Sequence, residues 1–325
     1  MPQKLVLTEA LPVVGMRALS GCRGIEVVVL AEPTTAALGA EIENADGVIM
    51  VMERPALTAE LIGKARQLRV ACRFGAGYDN LDVSALTRRG IRLVTTGDAN
   101  ADAVAEHALY LMLSLAKRGL LLDREVRAGL WARSFGGVEL REKTCVIVGY
   151  GRIGRRIATL AGAFGMKIEI VDPAADESEC TRNGHAYAGS LADALPRADF
   201  LVLACAHTPA TQGLIGEQAL AMLKKSAFLI NVARGPIVDE RALAAALASG
   251  KLAGAGLDVL AVEPPAKDNP LLQRDDVVLT PHSAAFIDTA YDRMAVSVAE
   301  KAVAGLQERL TRQDVVNPEC FDVTS

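Results

Sequence analysis

Three side chains suited to proton transfer and anion binding stand far apart in the sequence: Arg234, Glu263 and His282. Each follows a short apolar run of the kind that forms a buried strand. Histidine gives and takes protons near neutral pH, a carboxylate beside it favours the imidazolium, and a guanidinium holds an anion. Together they fit the loss of a hydroxyl proton while a hydride leaves the same carbon. Taken singly, each type also has common structural roles.

These residues need a scaffold that brings strand ends together. Short Val/Ile/Leu runs alternate with helical patterns, which is typical of βα units and parallel sheets. We therefore predict an α/β fold with two parallel sheets, in which ligands bind beyond the carboxyl ends of the strands. The predicted strands lie near 26–30, 47–52, 69–74 and 91–94, and then near 144–148, 167–171, 200–204, 227–232, 256–260 and 277–279.

A glycine-rich segment follows the predicted strand at 144–148. Its sequence is Gly149-Tyr150-Gly151-Arg152-Ile153-Gly154, and it opens a helix that we expect to reach about residue 164. Glycines at this spacing allow a tight turn, the approach of a pyrophosphate and close packing of helix on strand. We interpret the segment as a dinucleotide-binding loop, with Arg152 beside the phosphates. A packing turn without a ligand is the alternative.

An acidic residue ends the next predicted strand. Asp172 lies 18 residues beyond Gly154, where a carboxylate accepts hydrogen bonds from ribose hydroxyls. It would repel the extra phosphate of NADP, and Pro173 and the three residues after it include no arginine to receive that phosphate. The sequence therefore predicts NAD as the cofactor.

Composition excludes several classes of function. The length of 325 residues suits about two domains. A net charge of −4 and an aromatic content of 4% provide no footprint for nucleic acid or an anionic membrane surface. No apolar run approaches the roughly 20 residues that span a bilayer, and the first residues lack a signal-peptide pattern. We expect a cytoplasmic protein without nucleic-acid or membrane partners.

The cysteines give no sign of disulfides or a metal centre. They are widely spaced, without a CxxC motif, and the one close Cys/His pair, Cys205 and His207, lacks further ligands. We expect reduced, mostly buried thiols and no metal. The six are Cys22, Cys72, Cys145, Cys180, Cys205 and Cys320.

Four blocks, by their order and spacing, resemble the D-isomer-specific 2-hydroxyacid dehydrogenases. They are 149–154 with Asp172, 231–235 with 238–240, 256–259 with 263–265, and 280–282. The likeness also includes 75–80 and 104–106, so it extends from about residue 74 to residue 294. The resemblance implies that Arg234 binds substrate, Glu263 supports the base and His282 is the acid/base.

The resemblance also implies how the two domains are connected. A Rossmann NAD-binding domain at 100–286 would be inserted into a flavodoxin-like substrate domain made of 1–99 and 287–325. Members of the family are usually homodimers that pair through the NAD domain. In this chain a predicted helix at 101–117 and the looser stretch at 119–141 would embrace the partner.

Further cofactor and substrate contacts follow from the same likeness. We expect cofactor contacts from Val104, Pro173, His207, Thr208, Pro209 and Asp258, and from the backbone of Val232 and Ala233. The segment Gly75-Ala76-Gly77 follows a strand and exposes successive N–H groups, which would form a nest for a substrate carboxylate. A glycine turn without a ligand is the alternative. Arg73 and Arg54 are candidates for a second anionic group on the substrate.

The segment after His282 bears on the choice of substrate. Phosphoglycerate dehydrogenases are close in pattern, but many carry a further C-terminal regulatory domain, which we do not expect here. They commonly show Gly and then a Ser-Thr pair after the catalytic histidine, where this chain has Ser283-Ala284-Ala285-Phe286-Ile287. This favours glyoxylate, hydroxypyruvate or another short 2-oxo acid. A two-domain D-3-phosphoglycerate dehydrogenase and an NAD-sensing corepressor on the same scaffold are the alternatives.

Overall fold

The computed structural model describes residues 2–131 and 136–323. The chain divides into two compact units. Unit 1 comprises Met1–Asn100 and Phe286–Ser325, and unit 2 comprises Ala101–Ala285. The divisions lie one residue from the predicted boundaries at 99/100 and 286/287. Part of the predicted loose stretch at 119–141, residues 132–135, lies outside the described residues.

Strands and helices alternate along both units. The strands are β1 (Gln3–Leu7), β2 (Ile25–Val29), β3 (Gly47–Met50), β4 (Val70–Arg73), β5 (Arg92–Thr95), β6 (Thr144–Val148), β7 (Lys167–Val171), β8 (Ala186–Tyr187), β9 (Phe200–Leu203), β10 (Phe228–Asn231), β11 (Gly254–Leu257) and β12 (Val277–Leu279). The helices are α1 (Val13–Ser20), α2 (Thr35–Ile42), α3 (Ala59–Lys64), α4 (Val83–Arg88), α5 (Ala101–Ala116), α6 (Gly119–Arg127), α7 (Arg152–Ala163), α8 (Glu177–Arg182), α9 (Leu191–Ala194), α10 (Glu217–Met222), α11 (Glu240–Ala248) and α12 (Asp288–Leu306).

Unit 1 is built on a parallel sheet with the strand order β2-β1-β3-β4-β5. This is the flavodoxin-like order, in which the chain reverses direction across the sheet after β2. Helix α12, near the end of the chain, packs against β3, β4, β5 and α1. The approach is close because a Cβ at Gly305 would lie 2.6 Å from a methyl carbon of Val70. The two separate chain segments therefore share one core.

Unit 2 is built on a second parallel sheet, with the order β12-β11-β10-β9-β6-β7-β8. Along β6, Cys145 and Ile147 enter one hydrophobic core, and Val146 and Val148 enter the core on the opposite face. The strand order reverses between β6 and β9, which is the place where Rossmann sheets bind nucleotides. The predicted α/β fold with two parallel sheets is confirmed.

The predicted strand at 256–260 was placed too late in the chain. The observed strand β11 is Gly254–Leu257, a glycine- and alanine-rich run that lacks the β-branched residues typical of strands. It is a strand because small residues let α5 lie against it: a Cβ at Gly256 would be 2.9 Å from the Cβ of Leu111. Helix α6 is a second difference, since it forms in the stretch that we predicted to be loose.

Each of the six cysteines is a free thiol, and Cys22 and Cys205 are the two that are partly exposed. Burial raises the pKa of Cys205 to about 11, so this thiol stays protonated near neutral pH. Within residues 2–131 and 136–323, no helix combines the length and the apolar composition needed to cross a membrane. The predicted cytoplasmic location stays a prediction.

Candidate active site

Glu263 and His282 form a hydrogen-bonded pair in unit 2. Nδ1 of His282 lies 2.8 Å from Oε2 of Glu263, and each side chain is about one-third exposed. The other carboxylate oxygen of Glu263 accepts a hydrogen bond from the Leu260 N–H at 3.0 Å. Because a carboxylate only accepts a hydrogen bond, Nδ1 of His282 carries a hydrogen.

The electrostatics of Glu263 keep it ionised. Burial is the largest single influence and raises the pKa of its carboxyl group, whereas the hydrogen bonds from His282 and Leu260 lower it. The positive charges of His282 and Arg234 lower the pKa further, so that it lies below the usual 4.5. A carboxylate whose pKa is lowered can orient the histidine ring and stabilise its imidazolium form.

The backbone at His282 has an unusual conformation. Its φ angle is +51°, in the left-handed region that few residues other than glycine adopt. The His282 N–H donates to the carbonyl oxygens of Asp258, at 2.7 Å, and Thr280, at 3.0 Å. Such a conformation persists only where the surrounding structure holds it, and it is common at functional sites.

Asp258 supplies much of that support. Its side chain is 2% exposed, and its carboxylate accepts from the Thr280 hydroxyl at 2.6 Å, the Ser283 N–H at 2.9 Å and the Ala284 N–H at 3.1 Å. The carboxylate therefore binds the loop on both sides of His282. A direct contact between Asp258 and a cofactor stays a prediction.

Arg234 lies on the loop after β10. Asn231, which is buried at the end of that strand, accepts from the Ala233 N–H at 3.0 Å and donates to the Arg234 carbonyl at 2.9 Å. The next residue, Gly235, lies so close to Leu260 that an added Cβ would overlap the Leu260 carbonyl group. The loops that carry Arg234 and Glu263 are therefore packed directly together.

A second carboxylate holds the Glu263 loop from the other side. Glu240, the first residue of α11, accepts from the Ala261 N–H at 2.5 Å and from the Asn269 side-chain amide at 2.8 Å. These two contacts fix residues on either side of Glu263. The site thus has a carboxylate that faces the histidine and another that only shapes the loop.

The glycine-rich loop has the geometry that phosphate binding requires. Gly149 has a φ of +99°, and a Cβ there would lie 2.6 Å from the Cα of Cys205. A Cβ at Gly154 would overlap the carbonyl oxygen of Gly149. At Gly151, in contrast, a Cβ would meet nothing within 4 Å among the described residues. The first and third glycines serve packing, and the second leaves open space at the N-terminus of α7.

The other members of this loop differ in exposure. Arg152 begins α7 and is exposed. The Tyr150 side chain is buried under the Arg155 guanidinium and its hydroxyl bonds to Asn183, so this side chain serves packing. Ile153 packs partly into the core. Any phosphate contact from this loop would come from main-chain N–H groups and Arg152.

Asp172 joins the end of β7 to the glycine-rich loop. One carboxylate oxygen accepts from the Tyr150 N–H at 2.7 Å, and the other accepts from the Ala174 N–H at 2.8 Å. Each oxygen has a second lone pair that can accept from a hydroxyl. Pro173 beside it is exposed. The carboxylate is fixed in orientation before any ligand arrives.

The remaining predicted cofactor residues fall into two groups. Thr208 and Pro209 are exposed after β9, next to His207, whose Nε2 lies 2.5 Å from the Gln212 side-chain oxygen. Val104, Val232 and Ala233 are buried in the hydrophobic cores of unit 2. The first group is open to a ligand, and the side chains of the second group serve the core.

The predicted anion nest lies in unit 1. Gly75, Ala76 and Gly77 are half-buried, and among the described residues none accepts a hydrogen bond from their N–H groups. Arg73 is buried beneath them, where it pairs with Glu53 at 2.6 Å and donates to several carbonyl oxygens of the surrounding loops. Arg54 is exposed. Arg73 therefore shapes the nest, and substrate contacts from all five residues stay predictions.

Comparison with known proteins identifies the family. Residues 109–284 match the family model described as "D-isomer specific 2-hydroxyacid dehydrogenase, NAD binding domain". This chain belongs to the D-isomer-specific 2-hydroxyacid dehydrogenase family. The predicted resemblance is confirmed, and the glycine-rich loop, Asp172 and the Glu263–His282 pair all lie within the matched region.

Relatives in the family bear different names. The chain is 39% identical over 293 residues to a D-3-phosphoglycerate dehydrogenase of Methanocaldococcus jannaschii, covering 90% of this chain and 55% of the relative. It therefore spans about half the length of that relative. It is 36% identical to a glyoxylate reductase of Pyrococcus furiosus, covering 94% of this chain and 92% of that relative. A D-lactate dehydrogenase of Aquifex aeolicus, solved with NAD and lactic acid, superposes with a TM-score of 0.87 at 26% identity, covering 97% and 99%.

Sequence reasoning did not assign roles to several residues that build the site. Asn231 and Glu240 lie inside the blocks that carried the resemblance, yet their loop-shaping contacts gave no separate signal. Thr280 precedes His282 by two residues. His107, on α5, was passed over entirely, although its Nε2 lies 2.8 Å from the Thr280 hydroxyl. A polar residue on an otherwise apolar helix face was the available clue.

The contact between the two loops can be tested at Gly235. In Gly235→Ala the added Cβ must displace Leu260, so we expect unfolding free energy to fall by about 1 to 3 kcal/mol, as in overpacked cores. Gly189→Ala is the matched control, because nothing described lies within 4 Å of its added Cβ. Thermal or denaturant unfolding of both variants measures the difference. Equal stability of the two would contradict the close approach.

Proposed function

We propose that this chain reduces small 2-oxo acids to D-2-hydroxy acids with NADH and catalyses the reverse oxidation. One observation carries the proposal: His282 and Glu263 are paired at 2.8 Å, and the charge of Arg234 acts on the same carboxylate. An acid/base, its carboxylate partner and a cation for the substrate are the groups that this reaction needs.

His282 is the proton donor in the reductive direction. Nicotinamide, when bound, supplies the hydride that adds to the carbonyl carbon of the substrate. Nε2 of His282 gives its proton to the carbonyl oxygen, and the electron pair of the C=O bond becomes the new O–H bond. Glu263 stabilises the imidazolium beforehand through Nδ1–H. In the oxidative direction the same nitrogen takes the hydroxyl proton.

Arg234 positions the substrate. Its guanidinium is permanently charged and planar, so it can hold the substrate carboxylate and polarise the carbonyl oxygen. Asn231 and the Gly235–Leu260 contact fix the loop from which it extends. Because that loop is packed against the Glu263 loop, the anion site and the proton donor keep a constant separation.

Residues of unit 2 fit a dinucleotide. The open space at Gly151 and the N-terminal N–H groups of α7 suit a pyrophosphate, since a helix N-terminus carries partial positive charge. The oriented carboxylate of Asp172 suits the ribose hydroxyls. These features support NAD over NADP, because the 2′-phosphate would lie against a negative charge.

A substrate panel tests the function. We expect consumption of NADH with glyoxylate or hydroxypyruvate, faster than with pyruvate or phosphohydroxypyruvate, measured by the loss of NADH absorbance. The reason is that Ala284, which follows the catalytic segment, is buried, and no Ser-Thr pair stands beside it. A preference for phosphohydroxypyruvate would instead assign the chain to the phosphoglycerate dehydrogenases.

His282→Ala is the control for this panel. It should lower kcat by about 100-fold or more, since general acid–base catalysis typically contributes that much, while NADH still binds. Fluorescence titration measures the binding. Activity retained in this variant would remove His282 from the proposed role. A wild-type protein that binds NADH but turns over none of the four acids would favour a cofactor-sensing protein.

Asp172→Ala tests the choice of cofactor. The variant loses a charged acceptor for the ribose hydroxyls, so we expect kcat/KM for NADH to fall about tenfold or more. The value for NADPH should be unchanged or higher, because the repulsion is gone. Asp176→Ala is a matched control, since Asp176 caps α8 in the same loop region. If the ratio of kcat/KM for NADH to kcat/KM for NADPH does not change, the carboxylate does not select NAD.

We also propose a homodimer that forms through unit 2. Helix α6 has no buried residue, and Leu120, Val126, Leu130 and Trp131 are exposed, the last to 78%. Exposed apolar clusters commonly mark interfaces.

Light scattering should give twice the chain mass of 34.3 kDa. Leu130→Glu should weaken the dimer, and Val13→Glu, at an exposed position in unit 1, should not. A monomeric wild-type protein would contradict this interface.

A further inference from the structure

His107 contacts the loop that carries His282. It lies on α5, and its side chain is 15% exposed. Its Nε2 is 2.8 Å from the Thr280 hydroxyl oxygen and 3.4 Å from Oδ1 of Asp258. Both partners hold the main chain of His282, because its N–H donates to their carbonyl oxygens. His107 is therefore linked to the acid/base group His282 through one intervening residue.

The hydrogen count at Thr280 assigns the tautomer of His107. The Thr280 hydroxyl has one hydrogen, and at 2.6 Å it donates that hydrogen to the Asp258 carboxylate, which can only accept. The hydroxyl oxygen must then accept from Nε2 of His107. His107 consequently carries its hydrogen on Nε2 and donates into the chain His107 to Thr280 to Asp258.

The environment favours a neutral ring. Burial lowers the pKa of His107 below its ordinary 6.5, and the negative charge of Asp258 only partly opposes this. A neutral Nε2–H imidazole still donates the hydrogen bond. The hydrogen bonds therefore run from the neutral His107 ring to the neutral Thr280 hydroxyl and on to the charged Asp258 carboxylate. They do not require a positive charge on His107.

We propose that His107 is a positioning residue of the active site: through Nε2–H it holds the Thr280 hydroxyl against Asp258 and so fixes the loop that presents His282 to Glu263. The inference deepens the proposed function and rests on it for the role of His282. His107 itself touches neither the pair nor the reacting atoms in this scheme. It ties the loop to α5, a long helix packed on the strands β10, β11 and β12.

The left-handed conformation at His282 explains why the loop needs this support. A φ of +51° is held only if enough contacts favour it over ordinary backbone conformations. The contacts come from the carbonyl oxygens of Asp258 and Thr280, and His107 adds a second anchor to the Thr280 hydroxyl, which also donates to Asp258. Loss of that anchor lets the hydroxyl turn away, and a small misplacement of a catalytic group lowers the rate strongly.

A spectroscopic measurement tests the hydrogen bond without any substrate. The chain has four histidines, so long-range ¹H–¹⁵N spectra can be assigned with His107→Gln. Near neutral pH we expect His107 in the neutral Nε2–H form, and a shift of its signal in Thr280→Val. An Nδ1–H tautomer, a charged ring or no response to Thr280→Val would overturn the proposal.

Kinetics test the positioning role. In His107→Leu, which keeps bulk and loses the donor, we expect kcat to fall about tenfold while KM for the 2-oxo acid changes less than about threefold. His107→Gln retains an N–H donor and should recover most of kcat. Thr280→Val should match His107→Leu, and Thr280→Ser should resemble the wild type. Thr181→Val, at an exposed helix position, controls for the type of substitution.

The double variant shows whether the two residues act together. If His107 acts through Thr280, the two substitutions should not add. We then expect kcat of His107→Leu combined with Thr280→Val to lie within about twofold of kcat of either single variant. Effects that multiply to about a hundredfold, or a Gln variant as slow as the Leu variant, would overturn the proposal. Failure of the substrate panel would contradict the proposed function instead, and the tautomer measurement would still stand by itself.

Discussion

The buried carboxylate of Asp258 is the group on which the geometry of the proposed active site depends. A carboxylate that is 2% exposed must be surrounded by hydrogen-bond donors, and the available donors are those of residues 280–284. Satisfying the carboxylate therefore closes the loop after β12 onto the end of β11. That closure holds His282 in a left-handed conformation and directs its ring toward Glu263.

The parallel sheet of unit 2 explains why this arrangement can form. Strands β10, β11 and β12 are neighbours in register, so the loops that follow them leave the same edge. Small residues let these loops approach: Gly235 lies against Leu260, and Gly256 lies against Leu111. The charges that result are interdependent, because His282 and Arg234 lower the pKa of Glu263 against the effect of burial.

Much of this could be predicted from the sequence. Most predicted strands agree with the observed ones to within one or two residues, because apolar periodicity and turn residues are local signals. The prediction placed β11 too late in the chain because glycine and alanine have low strand propensity. These small residues form a strand there because they let α5 pack closely against it. Tyr150 belongs to a recognisable motif, but its side chain serves the core. The polarity of His107 on an apolar helix face did not indicate its partner, since Thr280 lies 173 residues away.

The sequence by itself determined the elements and the chemical types: alternating strands and helices, a glycine spacing that admits a phosphate, and an arginine, a glutamate and a histidine after successive strands. Residue identity and spacing are enough for these because they act over a few positions. Only the tertiary structure decided the contacts that no motif carries, as Thr280 meets His107, and the geometry in which His282 meets its expected partner Glu263. Such pairings depend on strand order, register and helix packing, and these arise from contacts across the whole unit.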